Sequence, residues 1–180
     1  MACQVDGDIM RRARDGEESA LTAIYEQCQG PVYRYIFYRV ASTALAEELT
    51  ADVFVRMVDR MHTFREQGRP VLAWLYTIAR NLVIDHQRRH GQGAPLPLDD
   101  GMPAAEDFQP SRVAETGEVR ARLQAALAML TETQRQVILL KFIEARTNAE
   151  VAAMLGKDEG AIKSLQHRAL AAMRRHLDST

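Results

Sequence analysis

Trp74, Thr77, Asn81, Asp85 and Arg88 recur at spacings of three and four in WLYTIARNLVIDHQRR, residues 74–89. At about 100° per residue they fall within roughly 80° on one side of a helix. An indole offers a nucleobase a stacking surface worth about 1–3 kcal/mol. An amide can pair with a base edge, and a guanidinium contacts phosphate. The set therefore suits a single nucleic-acid strand. It also reads as a solvated polar face with Trp74 packed on the preceding loop, and the helical wheel alone favours that reading.

A second constellation lies near the C-terminus. Lys163, Ser164, His167, Arg168, Arg174 and Arg175 share one helical face, while Ile162, Leu165, Ala169, Met173 and Leu177 form the opposite, core-facing stripe. A short capped helix and a glycine turn precede it, which is helix-turn-helix spacing. Early positions of the second helix should meet base edges and later cations should meet phosphate. A purely structural helical hairpin shares the spacing, but the concentration of cations on the outer face favours DNA.

The elements that hold these faces are helical throughout. Helical periods run at roughly 8–15, 18–29, 31–41, 43–62 and 70–90. The first stripe has its own opposite face, with Leu72, Leu75, Ala79, Leu82 and Val83 pointing to a core. Gly30 and Pro31 predict a break between the second and third helices. Thr131–Gln134 and Thr147–Glu150 read as capping boxes, Gly156 as a C-terminal stop and Asp158 as the cap of the last helix. Four prolines (Pro95, Pro97, Pro103 and Pro110) and four acids make 91–112 an extended linker. The expected fold is all-α: a helical bundle over 1–90, an acidic Pro/Gly-rich flexible linker over 91–117, and a helix-turn-helix domain over 118–180.

The net charge of −1 hides a division. Residues 1–90 are neutral, 91–118 carry −5 and 119–180 carry +4. The basic end is the plausible nucleic-acid binder, masked in the total by the acidic middle. No apolar run is long enough to span a membrane, and the N-terminus lacks a secretory core, so a cytoplasmic protein is expected. Cys3 and Cys28 are too few for a disulfide framework and are expected to be reduced. His86 and His90 sit four apart, but no third ligand or catalytic carboxylate stands at matching spacing. No metal, cofactor, small-molecule substrate or enzymatic activity is expected.

Together these residues resemble the extracytoplasmic-function (ECF) group of bacterial sigma factors. ALAEELTADVFVRMVDRM, 44–61, is similar to the family's polymerase-docking helix, usually a "DAEDLVQETF"-like string. RPVLAWLYTIARNLVIDHQRR, 69–89, is similar to its promoter-melting helix, "WLxxIARNxxxDxxRR". LTETQRQVILLKFIEARTNAEVAAMLGKDEGAIKSLQHRAL, 130–170, resembles its C-terminal module, with "EVAxxLGxxEGxxKS" in register. Finding both specific motifs in order, separated by a linker, is more telling than either alone.

The resemblance implies a subunit that binds core RNA polymerase and promoter DNA and is usually held by an anti-sigma factor. It implies that Asn81 lies beside a flipped minus-ten base, with the loop 62–69 helping to form the pocket. Trp74 would pack or wedge near the melting point, Thr77 would join the minus-ten contacts, and Arg80, Arg88 and Arg89 would touch phosphates. Asp85 would orient an arginine or cap a local network. Lys163, Ser164, His167, Arg168 and Arg174 would read the minus-thirty-five duplex. Glu47, Glu48 and Asp52, beside Leu49, Val53, Phe54 and Met57, would dock on polymerase, and the region around Val137, Leu140 and Phe142 would grip a second polymerase element.

The chain departs from the pattern where Leu165 replaces a usual arginine; its phase turns it inward and leaves base reading to its neighbours. Neither an extension past residue 180 nor a large autoinhibitory N-terminus is expected. The competing expectation is a conventional helix-turn-helix regulator with 1–90 as sensor or dimerisation domain.

Overall fold

The computed structural model describes residues 5–40, 42–65, 69–90 and 117–178. Among these residues there are eight α-helices and no strand, as the all-α expectation requires. The expected linker lies almost wholly outside the described residues.

Helix α1 spans Gly7–Arg14, capped by the Asp6 carboxylate, which accepts from the Ile9 amide at 2.8 Å. Helix α2 spans Glu18–Phe37 without interruption, so the expected break at Gly30 and Pro31 does not occur. A proline inside a helix costs about 3 kcal/mol. The same helix buries Ile24, Val32, Tyr35 and Ile36 completely, and each large apolar side chain returns about 1.5–3 kcal/mol. Tertiary burial outweighs the lost hydrogen bond. Cys28, on this buried side, is disulfide-bonded where a reduced thiol was expected; Cys3 lies outside the described residues.

Helix α3, Thr43–Arg60, starts on the Ser42 hydroxyl and ends in a single 3-10 turn, Met61–Thr63. Helix α4 spans Val71–His90. Its expected core stripe of Leu72, Leu75, Ala79, Leu82 and Val83 is buried throughout.

Helix α5 spans Gly117–Ala128 and α6 spans Glu132–Ile138. Both expected capping boxes form: Thr131 with Gln134, and Thr147 with Glu150. Downstream of α6 the helix widens into a π turn, Leu139–Ile143, closed by the Glu144 amide donating to the Leu139 carbonyl at 3.1 Å. The sequence pattern suggests no such widening. Helices α7, Asn148–Leu155, and α8, Glu159–Asp178, meet at Gly156, whose φ of 63° explains the glycine. The Asp158 carboxylate accepts from the Ala161 amide at 2.8 Å, as expected of a cap. No described helix is long and apolar enough to cross a membrane.

The C-terminal helices pack on the N-terminal ones through α2. Arg34 forms a two-pronged ion pair with Glu144, both contacts 2.8 Å, and the Glu144 side chain is only 3% exposed. Arg39, with a side chain 0% exposed, grips Glu132 at 2.7 and 2.8 Å. The Gln124 amide donates to the Phe37 and Val40 carbonyls at 3.1 and 2.6 Å, finishing the C-terminal end of α2.

Candidate nucleic-acid interface

Helix α4 presents the outward stripe that its sequence periodicity predicts. Thr77, Asn81, Arg88 and Arg89 are exposed, on the side opposite the buried leucines. Thr77 returns its hydroxyl proton to the Ala73 carbonyl at 3.0 Å, which leaves its oxygen lone pairs facing outward. Asp85 stands 3.5 Å from Arg88, and the Arg89 guanidinium donates to the Asp85 carbonyl at 3.3 Å. Trp74 is half-buried. Its ring lies 4.6 Å from that of Phe64, centroid to centroid, at 35°. Trp74 is therefore packed on the loop that follows the 3-10 turn, as the packing reading anticipated, and is only partly covered. Residues 66–68 of the expected base pocket lie outside the described residues.

Arg80 is the member of the set that faces differently. It is partly covered, and its guanidinium stands 3.7 Å from Glu132 of α6. A cleft of about 140 Å³ separates the two groups of helices here, lined by Arg69, Thr77 and Arg80 on one side and by Gln136 and Met154 on the other.

On α8, Lys163, Ser164, His167, Arg168, Arg174 and Arg175 are all exposed, while Ile162 and Ala169 are fully buried. Leu165 and Met173 are half-buried against the core, as the inward phase of Leu165 requires. Leu177 departs from expectation: it lies past the last packed turn and is 40% exposed.

The docking surface on α3 needs a correction. Glu47, Glu48 and Asp52 are exposed, but Leu49, Val53, Phe54 and Met57 all point into the core. Those four are the buried stripe of an amphipathic helix and hold the acids in place without offering contact. The apolar side chains that do reach the surface are Val55, 60% exposed, and Val58, 50% exposed. Both were legible as apolar residues out of phase with the core stripe. Of the second expected docking region, Val137 and Leu140 are buried and Phe142 is 54% exposed.

The imidazoles of His86 and His90 stack at 4.3 Å. Partial burial, reinforced by the neighbouring His90 and Arg89, lowers the pKa of His86. Among the described residues no group of three His, Cys, Asp or Glu side chains is placed to hold a metal.

Residues 24–92 match the family model of Sigma-70 region 2, and residues 120–173 match that of Sigma-70, region 4. The chain is 39% identical over 171 residues to the ECF RNA polymerase sigma factor BldN of Streptomyces coelicolor, covering 94% of this chain and 65% of that protein. It is 34% identical over 170 residues to the ECF RNA polymerase sigma factor RpoE of Cereibacter sphaeroides, covering 94% and 93% of the two chains. Among solved structures, CnrH in complex with the cytosolic domain of CnrY aligns with a TM-score of 0.70 at 22% identity, over 98% of this chain and 99% of that one. That last likeness concerns the fold alone.

Proposed function

The chain belongs to the ECF RNA polymerase sigma factor family, and on that premise we propose that it directs core polymerase to promoters by engaging DNA at two separate faces. The α4 stripe captures the unpaired minus-ten strand: Asn81 pairs with an extracted base, Thr77 and the partly covered Trp74 border it, and Arg80, Arg88 and Arg89 hold phosphates. Extracting a base costs a few kcal/mol, returned by stacking and hydrogen bonds. The α8 face reads the minus-thirty-five duplex through Lys163, Ser164, His167 and Arg168, with Arg174 on phosphate. On α3, Glu47, Glu48 and Asp52, joined by Val55 and Val58, meet a basic polymerase surface and set orientation and on-rate.

The observation that carries this reading is the two-sidedness of α4: one side is sealed in the core and the other, with Asn81 at its centre, is open. The protein works beside polymerase in the cytoplasm and performs no catalytic step of its own. CnrH is solved with a bound partner domain, and we assign this chain a partner of the anti-sigma kind. The decisive experiment is transcription by purified core polymerase plus the chain on a promoter library. Specific initiation that falls several-fold with Asn81→Ala at the opening step, with closed binding retained, is the expected result. Equal promoter opening by wild type and Asn81→Ala refutes the assignment.

A further inference from the structure

Glu132 is held by more positive charge than it needs. Arg39 grips both carboxylate oxygens at 2.7 and 2.8 Å, Arg135 stands at 3.5 Å and Arg80 at 3.7 Å. Tyr35 accepts from the same Arg39 guanidinium at 2.6 Å. Three cations thus face one carboxylate. The Nε donors of both Arg39 and Arg80 are buried without a hydrogen-bond partner.

Arg135 and Glu132 belong to the C-terminal helices. Arg39, Arg80 and Tyr35 belong to the N-terminal ones. When the two groups of helices separate, a fork-shaped cation, a second arginine and a phenol are left together without an acid. The place is also informative. Arg80 directly precedes Asn81, and Gln87 of α4 ties to the Arg39 carbonyl at 3.4 Å. The socket therefore flanks the strand-binding stripe. A phosphodiester carries the same single charge as a carboxylate and offers a guanidinium the same pair of oxygens.

We propose that Arg39, Arg80 and Tyr35 form a binding site for a backbone phosphate of the promoter strand, and that Glu132 occupies this site as a phosphate mimic while the two helical groups are docked. The proposal rests on the strand-binding reading of α4 and adds Arg39, which the sequence motifs do not single out. Docking and strand capture then compete for one socket. Separation of the C-terminal helices onto a distant duplex element delivers the socket to DNA.

The test is binding of a fluorescein-labelled, mixed-sequence single-stranded DNA by the full-length chain across a salt series. Glu132→Gln frees the socket, so binding should tighten several-fold and the log–log salt slope should steepen by about 0.7, the value of one single-strand phosphate contact. Glu132→Gln combined with Arg39→Gln removes the buried pair together, with Arg80 and Arg135 as the remaining cations. This double variant should lose the whole gain, and so should Glu132→Gln combined with Arg80→Gln, at a more exposed position. If Arg39 and Glu132 merely join the helical groups, the double variant binds as tightly as Glu132→Gln alone, and the proposal falls. It falls equally if Glu132→Gln leaves the slope unchanged. Arg88→Ala separates the two levels: if it leaves strand binding untouched, the α4 reading itself fails, whereas a weakened Arg88→Ala beside an inert socket overturns the socket only.

Discussion

The outward faces of α4 and α8 are built on opposite plans. Helix α8 shows a dense set of cations, all exposed, over a stripe anchored by Ile162 and Ala169. Helix α4 shows a hydroxyl and an amide, a tryptophan already stacked on Phe64, and cations placed beside the stripe or at its end. On the proposed reading, the difference follows from what each face would hold. A duplex is a rigid array of phosphates and suits charge. A separated strand must have a base removed from its stack and received by shape and hydrogen bonds. The neighbours differ as well: the α8 face is open, while the flank of α4 at Arg80 is engaged by Glu132.

That contrast can be broken most strongly from beneath. Leu75→Ala hollows the core under the α4 face and should cost about 2–5 kcal/mol, read as a lower midpoint in chemical denaturation. Its stripe-mates would lose their placement with it. Next in size, Arg168→Ala should weaken duplex binding by about 1–3 kcal/mol if the guanidinium meets a base, measured by anisotropy with duplex promoter fragments. Single-strand capture should stay unchanged in this variant. Asn81→Ala should do the reverse, slowing promoter opening in a permanganate footprinting assay by about 1 kcal/mol, the worth of one hydrogen bond, while duplex affinity by anisotropy is preserved.

The smallest effect belongs to the helix that precedes α8. Thr147→Ala removes the α7 cap and should cost about 1 kcal/mol, visible in thermal melts. The hydrogen bonds that Glu150 accepts from Thr147 lower its carboxyl pKa in the folded state. A lowered pKa means stability that is present above the ordinary carboxylate value near 4.5 and is lost as pH falls through the folded value. Acid titration should therefore loosen α7, and the Thr147→Ala variant should show less of that dependence.

Local signals were read well where they act locally. Both capping boxes, Gly156, the Asp158 cap and the core stripe of α4 depend on neighbours within a turn or two, and each stands where periodicity and turn chemistry put it. The misreadings share a different cause. Pro31 looked like a helix start, but burial of residues distant in sequence carries the helix through it. In α3, acids and apolar residues stand close together in the sequence and present themselves as one mixed surface. Only three-dimensional packing reveals that Leu49, Val53, Phe54 and Met57 face in while Val55 and Val58 face out. Arg39 looked like an ordinary basic residue after an apolar run. Its significance comes from Glu132, 93 positions away, and no short-range pattern connects the two.

The end of α2 bears on the order in which the protein is made. The carbonyls of Phe37 and Val40 are satisfied by the amide of Gln124, which lies 84 or more residues further along. A ribosome releases the N-terminal helices before that side chain exists. Newly made α2 must therefore finish on water, and acquires its protein partner only when the C-terminal helices emerge and fold back. The mature chain can return to that nascent arrangement whenever those helices swing away.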